Sequence, residues 1–506
     1  MHNGIYAGLL FSIATFVWYS RRGSRNPENL PYPPGPKPLP LIGNVYDVPR
    51  DVPWKAFEEW GRKYGDIIYF HTFGKPIIIL NSFSAAHDLL DKRGAIYSYR
   101  PQFAMANEVI GWNFSLTSMD YSEKSKRQRK YLQSYFSRQL LPNYYQIQVR
   151  EAHRMLSDIL QDPENYRDHI KRMAAGITMM LAYGHEVNSM DDQFIKIAEK
   201  GVKTIQAAGA VGAHIVDLIP WLRFIPEYLP GGSFAKLPPG TREDLQNFIH
   251  TPFNQVKKQM AEGTAVPCYT TTLLEETKGQ DDEGVRGTAA LTYSGGLDTT
   301  LSALETAFTM LLANPIIQAR VQAEMDTVVG KDRLPDFSDR DKMPYLRCVI
   351  SEVIRWGVQT PVGVPHRTSE DDFYNGYYIP KDTTIMANQW AMLHDERLYP
   401  DPYKFNPDRF LEGEGRSPQF DPRNIAFGFG RRQCPGNVLA ENTLWIATAC
   451  LFYAFKVTPA KDEKGVEIPI VVEYDEHAVR HPKPLKCNFR PRRENSAAII
   501  QQALDS

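Results

Sequence analysis

Phe427-Gly428-Phe429-Gly430-Arg431-Arg432-Gln433-Cys434-Pro435-Gly436 is the stretch on which the reading of this chain turns. Three glycines, two arginines and a proline surround one cysteine. The residues that follow, Asn437 to Ala449, carry a helical pattern, so Cys434 falls at or just before a helix N-terminus. Such an end carries partial positive charge and unpaired N–H groups. Both favour a thiolate over a thiol. Glycines at 428, 430 and 436 allow backbone to approach a flat, bulky ligand. Most free cysteines are small buried apolar residues, but these surroundings suit an anionic sulfur that binds something.

The other four cysteines, Cys268, Cys348, Cys450 and Cys487, are scattered, and no two of the five have C-x-x-C spacing. That is neither a disulfide framework nor a zinc pattern. The 58 Lys and Arg against 59 Asp and Glu leave a formal charge of −1, which argues against nucleic acid as the main partner. An apolar share of 42% in 506 residues is globular and allows a core without disulfide staples.

The spacing Phe427-x-x-Gly430-x-Arg432-x-Cys434-x-Gly436 resembles the haem-binding loop of the cytochrome P450 family. That resemblance implies a mainly α fold with small β-sheets (α+β), with Cys434 as the axial ligand of haem b and Arg432 on a haem propionate. Thiolate ligation favours O–O cleavage in such haem proteins. Glu352-Val353-Ile354-Arg355, 79 residues before Cys434 by its arginine, resembles the family's Glu-x-x-Arg helix. Pro407-Asp408-Arg409-Phe410 resembles the segment before the haem loop. Glu352, Arg355 and Arg409 are then the candidates for a buried structural charge network. Gly295-Gly296-Leu297-Asp298-Thr299-Thr300 resembles the acid–alcohol motif, in which Asp298 and Thr299 relay protons to bound dioxygen. Its glycine pair reads as a local opening of a long helix, with tight helix packing as the plain alternative. Arg129 stands at the arginine of the family's Trp-x-x-x-Arg pattern, but Ser125 replaces the tryptophan and puts that propionate contact in doubt. Pro365-His366-Arg367 resembles another propionate station, carried here by His366. The remaining charges at 124–130 read as a solvated face, or as a docking face for an acidic redox partner. The resemblance covers about residues 30–490 and is nearest to fungal microsomal members of secondary metabolism.

Ile5 to Tyr19 holds no charged residue, and Gly4–Ser20 spans 17 residues, roughly 25 Å as a helix. Trp18 and Tyr19 close it, and Arg21, Arg22 and Arg25 follow, which keeps the rest of the chain cytosolic. The expectation is a single-pass anchor at 1–20 in the endoplasmic reticulum membrane. A basic, proline-rich linker follows at 21–42, then one catalytic domain at 43–490 and a polar tail at 491–506. Within the domain, Pro53 to Tyr64 has helical spacing, Ile67–Phe70 and Ile77–Leu80 read as a hairpin, and Ser84 to Arg93 reads as helix. A long helix runs from about Gly287 to Ala313, and Asn314-Pro315 starts another.

The resemblance implies a monooxygenase that hydroxylates or epoxidises a small apolar terpenoid, polyketide or indole. Electrons come from NADPH through a separate NADPH–cytochrome P450 reductase, with cytochrome b5 as a second donor. The rival readings are a haem–thiolate isomerase or dehydratase that needs no electrons, against which Asp298-Thr299 counts, and a non-enzymatic haem-binding protein. Candidate pocket segments are Phe103–Phe114, Val202–Leu218, Leu291–Thr299, Val362–Val364 and Ala478–Val479, with Phe103, Trp112 and Phe114 equally suited to the core. His477 and His481 have i,i+4 spacing, but Pro482 and a β pattern argue against a helix, and the pair reads as incidental.

Overall fold

The computed structural model describes residues 26, 29–49, 51–207, 214–218, 220–225, 236–413, 415 and 417–505. The expected anchor at 1–20 lies outside the described residues. Among those described, no single helix is long and apolar enough to cross a membrane.

Helix α1 (Pro53–Tyr64) begins on a proline and buries Trp54 and Phe57. Strands β1 (Ile67–Thr72) and β2 (Lys75–Leu80) form an antiparallel hairpin turned at Phe73-Gly74, both at positive φ. The segment read as one helix at 84–93 is a short α turn, Phe83–Ala86, continued by wider π turns over His87–Lys92. A helical body follows: α2 (Glu123–Tyr135), α3 (Tyr145–Gln161), α4 (Tyr166–Tyr183), α5 (Gln193–Ala207), α6 (Thr241–Glu262), α7 (Tyr269–Glu276), α8 (Asp282–Ala313), α9 (Pro315–Val328) and α10 (Pro344–Gly357). Strands β3 (His366–Arg367), β4 (Asp372–Tyr374), β5 (Tyr377–Ile379) and β6 (Thr384–Ala387) come next. The main sheet has the order β1-β2-β6-β3, with β6 parallel to β2 and antiparallel to β3. The chain closes with α11 (Asn437–Ala454), β7 (Phe455–Pro459), β8 (Tyr474–Asp475), β9 (His481–Pro482), β10 (Cys487–Pro491) and α12 (Ser496–Asp505).

The axis of the body is α8. Asp281 caps it by accepting from the Gly284 N–H, and Pro315 starts the next helix where it ends. It packs against α4 and α11 and is buried on most of its circumference, so its residues are apolar nearly all round. This helix and the Cys434 loop, which feeds α11, bring the candidate residues into the interior.

Two expected boundaries are corrected. The proline-rich stretch read as a linker to residue 42 lies on the sheet: Tyr32 stacks on Tyr69 at 4.6 Å, and Tyr69 N–H donates to Pro34 O at 2.9 Å. Proline has no backbone donor, but its carbonyls are free to accept from the sheet edge. The polar tail at 491–506 is mostly helix α12, with Ile499 and Ile500 buried in the main core and the helix lying against α3. Its few apolar residues recur on one helical face, which short windows weighted by polar neighbours miss.

Candidate functional site

The cysteine loop is held by its own backbone. Gly428 N–H donates to Ile425 O at 3.0 Å, Arg432 N–H to Phe429 O at 3.1 Å, and Cys434 N–H to Phe427 O at 2.8 Å. Gly428 and Gly430 have φ of +76° and +51°. A Cβ at Gly430 would stand 2.3 Å from Leu90 O in the π-turn segment, so only glycine lets the two backbones meet. Asp91 accepts from the Gly430 N–H across that contact. Cys434 lies three residues before α11 and is exposed. Burial among protein atoms pushes its thiol up, opposed by the Gly436 N–H and the Arg129 charge. The helix end alone does not ionise this sulfur; a bound metal cation would deprotonate it outright.

Beside the loop stands an excess of half-buried and buried positive charge. Arg129 donates to Gln433 O. Arg432 places three of its five N–H groups on Ser98 O, Leu116 O and Met119 O at 2.7, 3.1 and 2.9 Å, which leaves two for a ligand. Arg100, which the sequence reading missed, donates to Val364 O and Pro365 O at 2.7 and 2.6 Å, while its buried Nε has no partner among the described residues. Burial first, and then the other two arginines, pull Arg100 well below its ordinary value. Burial and Arg129 bring Arg432 down to about 10. His366 is buried with Nδ1 on Tyr97 O at 2.7 Å, and burial with Arg100 holds it neutral. The nearby carboxylate of Asp120 is already taken by Arg367 at 2.7 Å. Clustered cations with an orphaned buried N–H fit a ligand carrying two carboxylates, and the thiol beside them fits a metal: together they suit haem. Arg100 was visible as the lone charge between Ala95 and Pro101.

Glu352, Arg355 and Arg409 meet in the interior. Arg355 grips both oxygens of Glu352 at 2.7 and 2.8 Å, and Arg409 Nε approaches Oε1 at 3.4 Å. The spare donors go to backbone: Arg355 to Leu393 O at 2.9 Å, Arg409 to Pro400 O, Asp401 O and Lys404 O. A second buttress went unread. Glu441, near the start of α11, holds Arg423 at 2.7 Å and Arg340 at 2.7 Å.

On α8, Leu291, Gly295, Asp298 and Thr299 form the stripe left partly open, while Ala289, Ala290, Tyr293 and Leu297 are buried. The expected opening of the helix at Gly295-Gly296 is not seen: α8 is helical from Asp282 to Ala313. Thr299 Oγ1 donates to Gly295 O at 2.8 Å, a bond within the helical turn that needs no break. A Cβ at Gly296 would sit 2.9 Å from Thr178 on α4, so this glycine serves packing; one at Gly295 would touch only Leu291, at 3.8 Å. The histidine set aside as incidental joins this stripe. His481 on β9 places Nε2 3.2 Å from Asp298 Oδ1 and Nδ1 2.9 Å from Glu305 Oε2. Chain distance hid it, since 183 residues separate His481 from Asp298.

Trp112 is a core residue: it is buried, donates to Thr204 Oγ1 at 2.8 Å and packs at a tilt against the rings of Phe114 and Phe248. Phe103 and Phe114 are only partly buried. Ser125, at the expected tryptophan, completes a capping box with Ser122 at the start of α2. It lines a cleft of about 300 Å³ with Arg129, Arg431 and Arg432. The basic face at 124–130 is largely paired, Lys124 with Glu283, Lys126 with Glu123 and Arg127 with Asp281.

The family model described as Cytochrome P450 matches residues 33–489. Cytochrome P450 monooxygenase 136 of Postia placenta is 37% identical, over 97% of this chain and 95% of its own length. Cytochrome P450 monooxygenase claR of Ampulloclitocybe clavipes is 38% identical over 93% and 88%. Tryptamine 4-monooxygenase of Psilocybe cyanescens is 35% identical over 95% and 96%.

Proposed function

The chain belongs to the cytochrome P450 family and is a monooxygenase, and we propose that it is a membrane-bound member that hydroxylates or epoxidises a small apolar terpenoid, polyketide or indole in secondary metabolism. The observation that carries the reading is Cys434 in its glycine loop beside the Arg100, Arg129 and Arg432 cluster. Cys434 would hold haem b through its thiolate, its sulfur steadied by the Gly436 N–H. Arg129 and Arg432, with Arg100, would bind the propionates, and neutral His366 holds the segment leading to Arg100 through Tyr97 O. The haem, when bound, supplies the activation of dioxygen with NADPH-derived electrons. Thr299 offers a hydroxyl on the open face of α8, and Asp298 beside it holds a carboxylate that takes up and releases protons. The Glu352, Arg355 and Arg409 network fixes the segment before the loop, so the sulfur does not wander. An apolar substrate is supported by Leu291, Phe114 and Val362, all partly open apolar groups in the pocket segments, and an indole by the printed name of the Psilocybe relative.

Electrons come from NADPH–cytochrome P450 reductase, with cytochrome b5 as a second donor. Residues 1–20 anchor the protein in the endoplasmic reticulum membrane, with the catalytic domain cytosolic; the uncharged run and the arginines after it support this. The test is expression of the full chain in a reductase-bearing microsomal host fed terpenoid, polyketide and indole candidates. A product heavier by one oxygen atom, formed by the membrane fraction and dependent on NADPH, is expected. Conversion without NADPH would contradict the reading.

A further inference from the structure

The strand pair β8–β9 is fastened along one stripe of α8. Asp298 takes His481 Nε2, Ser302 Oγ donates to Arg480 O, Glu305 takes His481 Nδ1, and Thr306 Oγ1 lies 3.2 Å from Tyr474 OH. These positions follow helical spacing, so one face of the helix reads one strand pair. His481 is the member that reaches Asp298, the acid next to Thr299 on the open stripe. Its ring sits between two carboxylates. A neutral imidazole has one N–H and would turn a lone pair toward one of them; only the imidazolium donates to both. Of the other charged groups around it, Asp475 is a further carboxylate in register opposite His481 on β8, while Arg167 on α4 opposes the ring's charge by holding Glu305 at 2.6 and 2.8 Å. Burial alone would lower this histidine, but the bonds to Asp298 and Glu305 outweigh it and bring it to about 9.

We propose that His481 is a positioning residue for the proton relay: as an imidazolium bridging Asp298 and Glu305 it fixes the Asp298 carboxylate on the open face of α8, and proton supply fails when it loses its charge. The proposal rests on the monooxygenase reading and adds the group that controls it. Each NADPH gives two electrons. Without organic substrate, one O2 that leaves as H2O2 takes the two electrons of one NADPH and two protons, whereas its reduction to two waters takes four electrons from two NADPH and four protons, and the O–O bond breaks only when two protons reach one oxygen atom. A misplaced carboxylate therefore diverts reducing equivalents to peroxide.

The experiment uses the full-length haem protein with purified reductase, without added organic substrate, and reads H2O2 released per NADPH oxidised from pH 6 to pH 10, and thermal midpoints over the same range. In the wild type the peroxide share is expected to rise as pH passes about 9. In His481→Gln it is expected to be several-fold higher at pH 7 and flat with pH. Ser302 and Thr306 still hold the strand pair, so this variant retains its fold; should it misfold, the wild-type inflection carries the test alone. The stability His481 contributes is full below its ordinary 6.5 and lost as pH rises through about 9, so the gap in midpoint between wild type and His481→Gln closes over that window. A purely structural histidine would move the midpoints and leave the peroxide share unchanged, which overturns the proposal. Absence of oxygen-dependent NADPH oxidation in the wild type would overturn the monooxygenase reading and this proposal with it.

Discussion

Glu352 and Arg355 form a fully buried ion pair, with Nε and Nη2 of the arginine donating to the two carboxylate oxygens at 2.7 and 2.8 Å and no surface exposed on either side chain. Each remaining guanidinium nitrogen around the pair has a partner, Leu393 O for Arg355 and three carbonyls for Arg409. Such a pair adds little over an apolar substitute, but breaking it leaves a dehydrated charge. Glu352→Ala should therefore cost about 3–5 kcal/mol in denaturant unfolding. Arg62→Ala, which removes a 69% exposed side chain from its ion pair with Glu58 and leaves the Glu58 bonds to Trp390 and Tyr403 in place, should cost no more than about 1 kcal/mol. Equal, small costs for the two would show that the buried network does not hold the fold.

Thr299→Ala removes the hydroxyl that now donates to Gly295 O and touches nothing in the Cys434 loop. Haem content should be unchanged, and the share of NADPH electrons appearing as peroxide should rise. A variant with the wild-type peroxide share would remove Thr299 from proton delivery.

His394 is buried and stacked on Trp390, and burial, then the Arg355 charge, lowers it to about 3. Unfolded, it titrates near the ordinary 6.5. Between those values the unfolded chain binds a proton that the folded one refuses, so stability falls as pH drops from 6.5 toward 3, by up to about 1.4 kcal/mol per pH unit. His394→Phe keeps a ring on Trp390 and should flatten that slope in pH-dependent unfolding. An unchanged slope would mean that the imidazole is protonated in the folded protein.

Ile500 is 1% exposed in the main core. Ile500→Ala should cost about 2–5 kcal/mol, measured by denaturant midpoint. No change would return residues 496–505 to the status of a free tail.

The parts legible in the sequence were those whose signal is local. The Cys434 loop, the Glu352–Arg355 helix and the Asp298-Thr299 pair each announce themselves within ten residues. The β1–β2 hairpin was readable from two apolar runs flanking Phe73-Gly74, and α1 was readable from its aromatic spacing. What escaped was assembled from distant chain. Arg100 joins Arg129 and Arg432 through folding alone, and His481 reaches Asp298 by way of β9. Glu441 meets Arg423 and Arg340 because α11 lies beside both. The proline-rich stretch carried a stiffness signal, but its adhesion to Tyr69 and Tyr378 depends on carbonyl geometry that composition does not encode. The two glycines of α8 look equivalent in sequence and differ in space: a Cβ at Gly296 would meet Thr178, while one at Gly295 would reach only the Leu291 side chain among the described residues.

The central claim is that the sulfur of Cys434 ligates haem iron. It is tested most directly by adding carbon monoxide to the dithionite-reduced, purified full-length protein and recording the difference spectrum for wild type and Cys434→Ala. The wild type should give the red-shifted Soret band of thiolate ligation, and the variant should lose it. The same band in Cys434→Ala, or a wild-type band at the position given by histidine-ligated haem, would contradict the account.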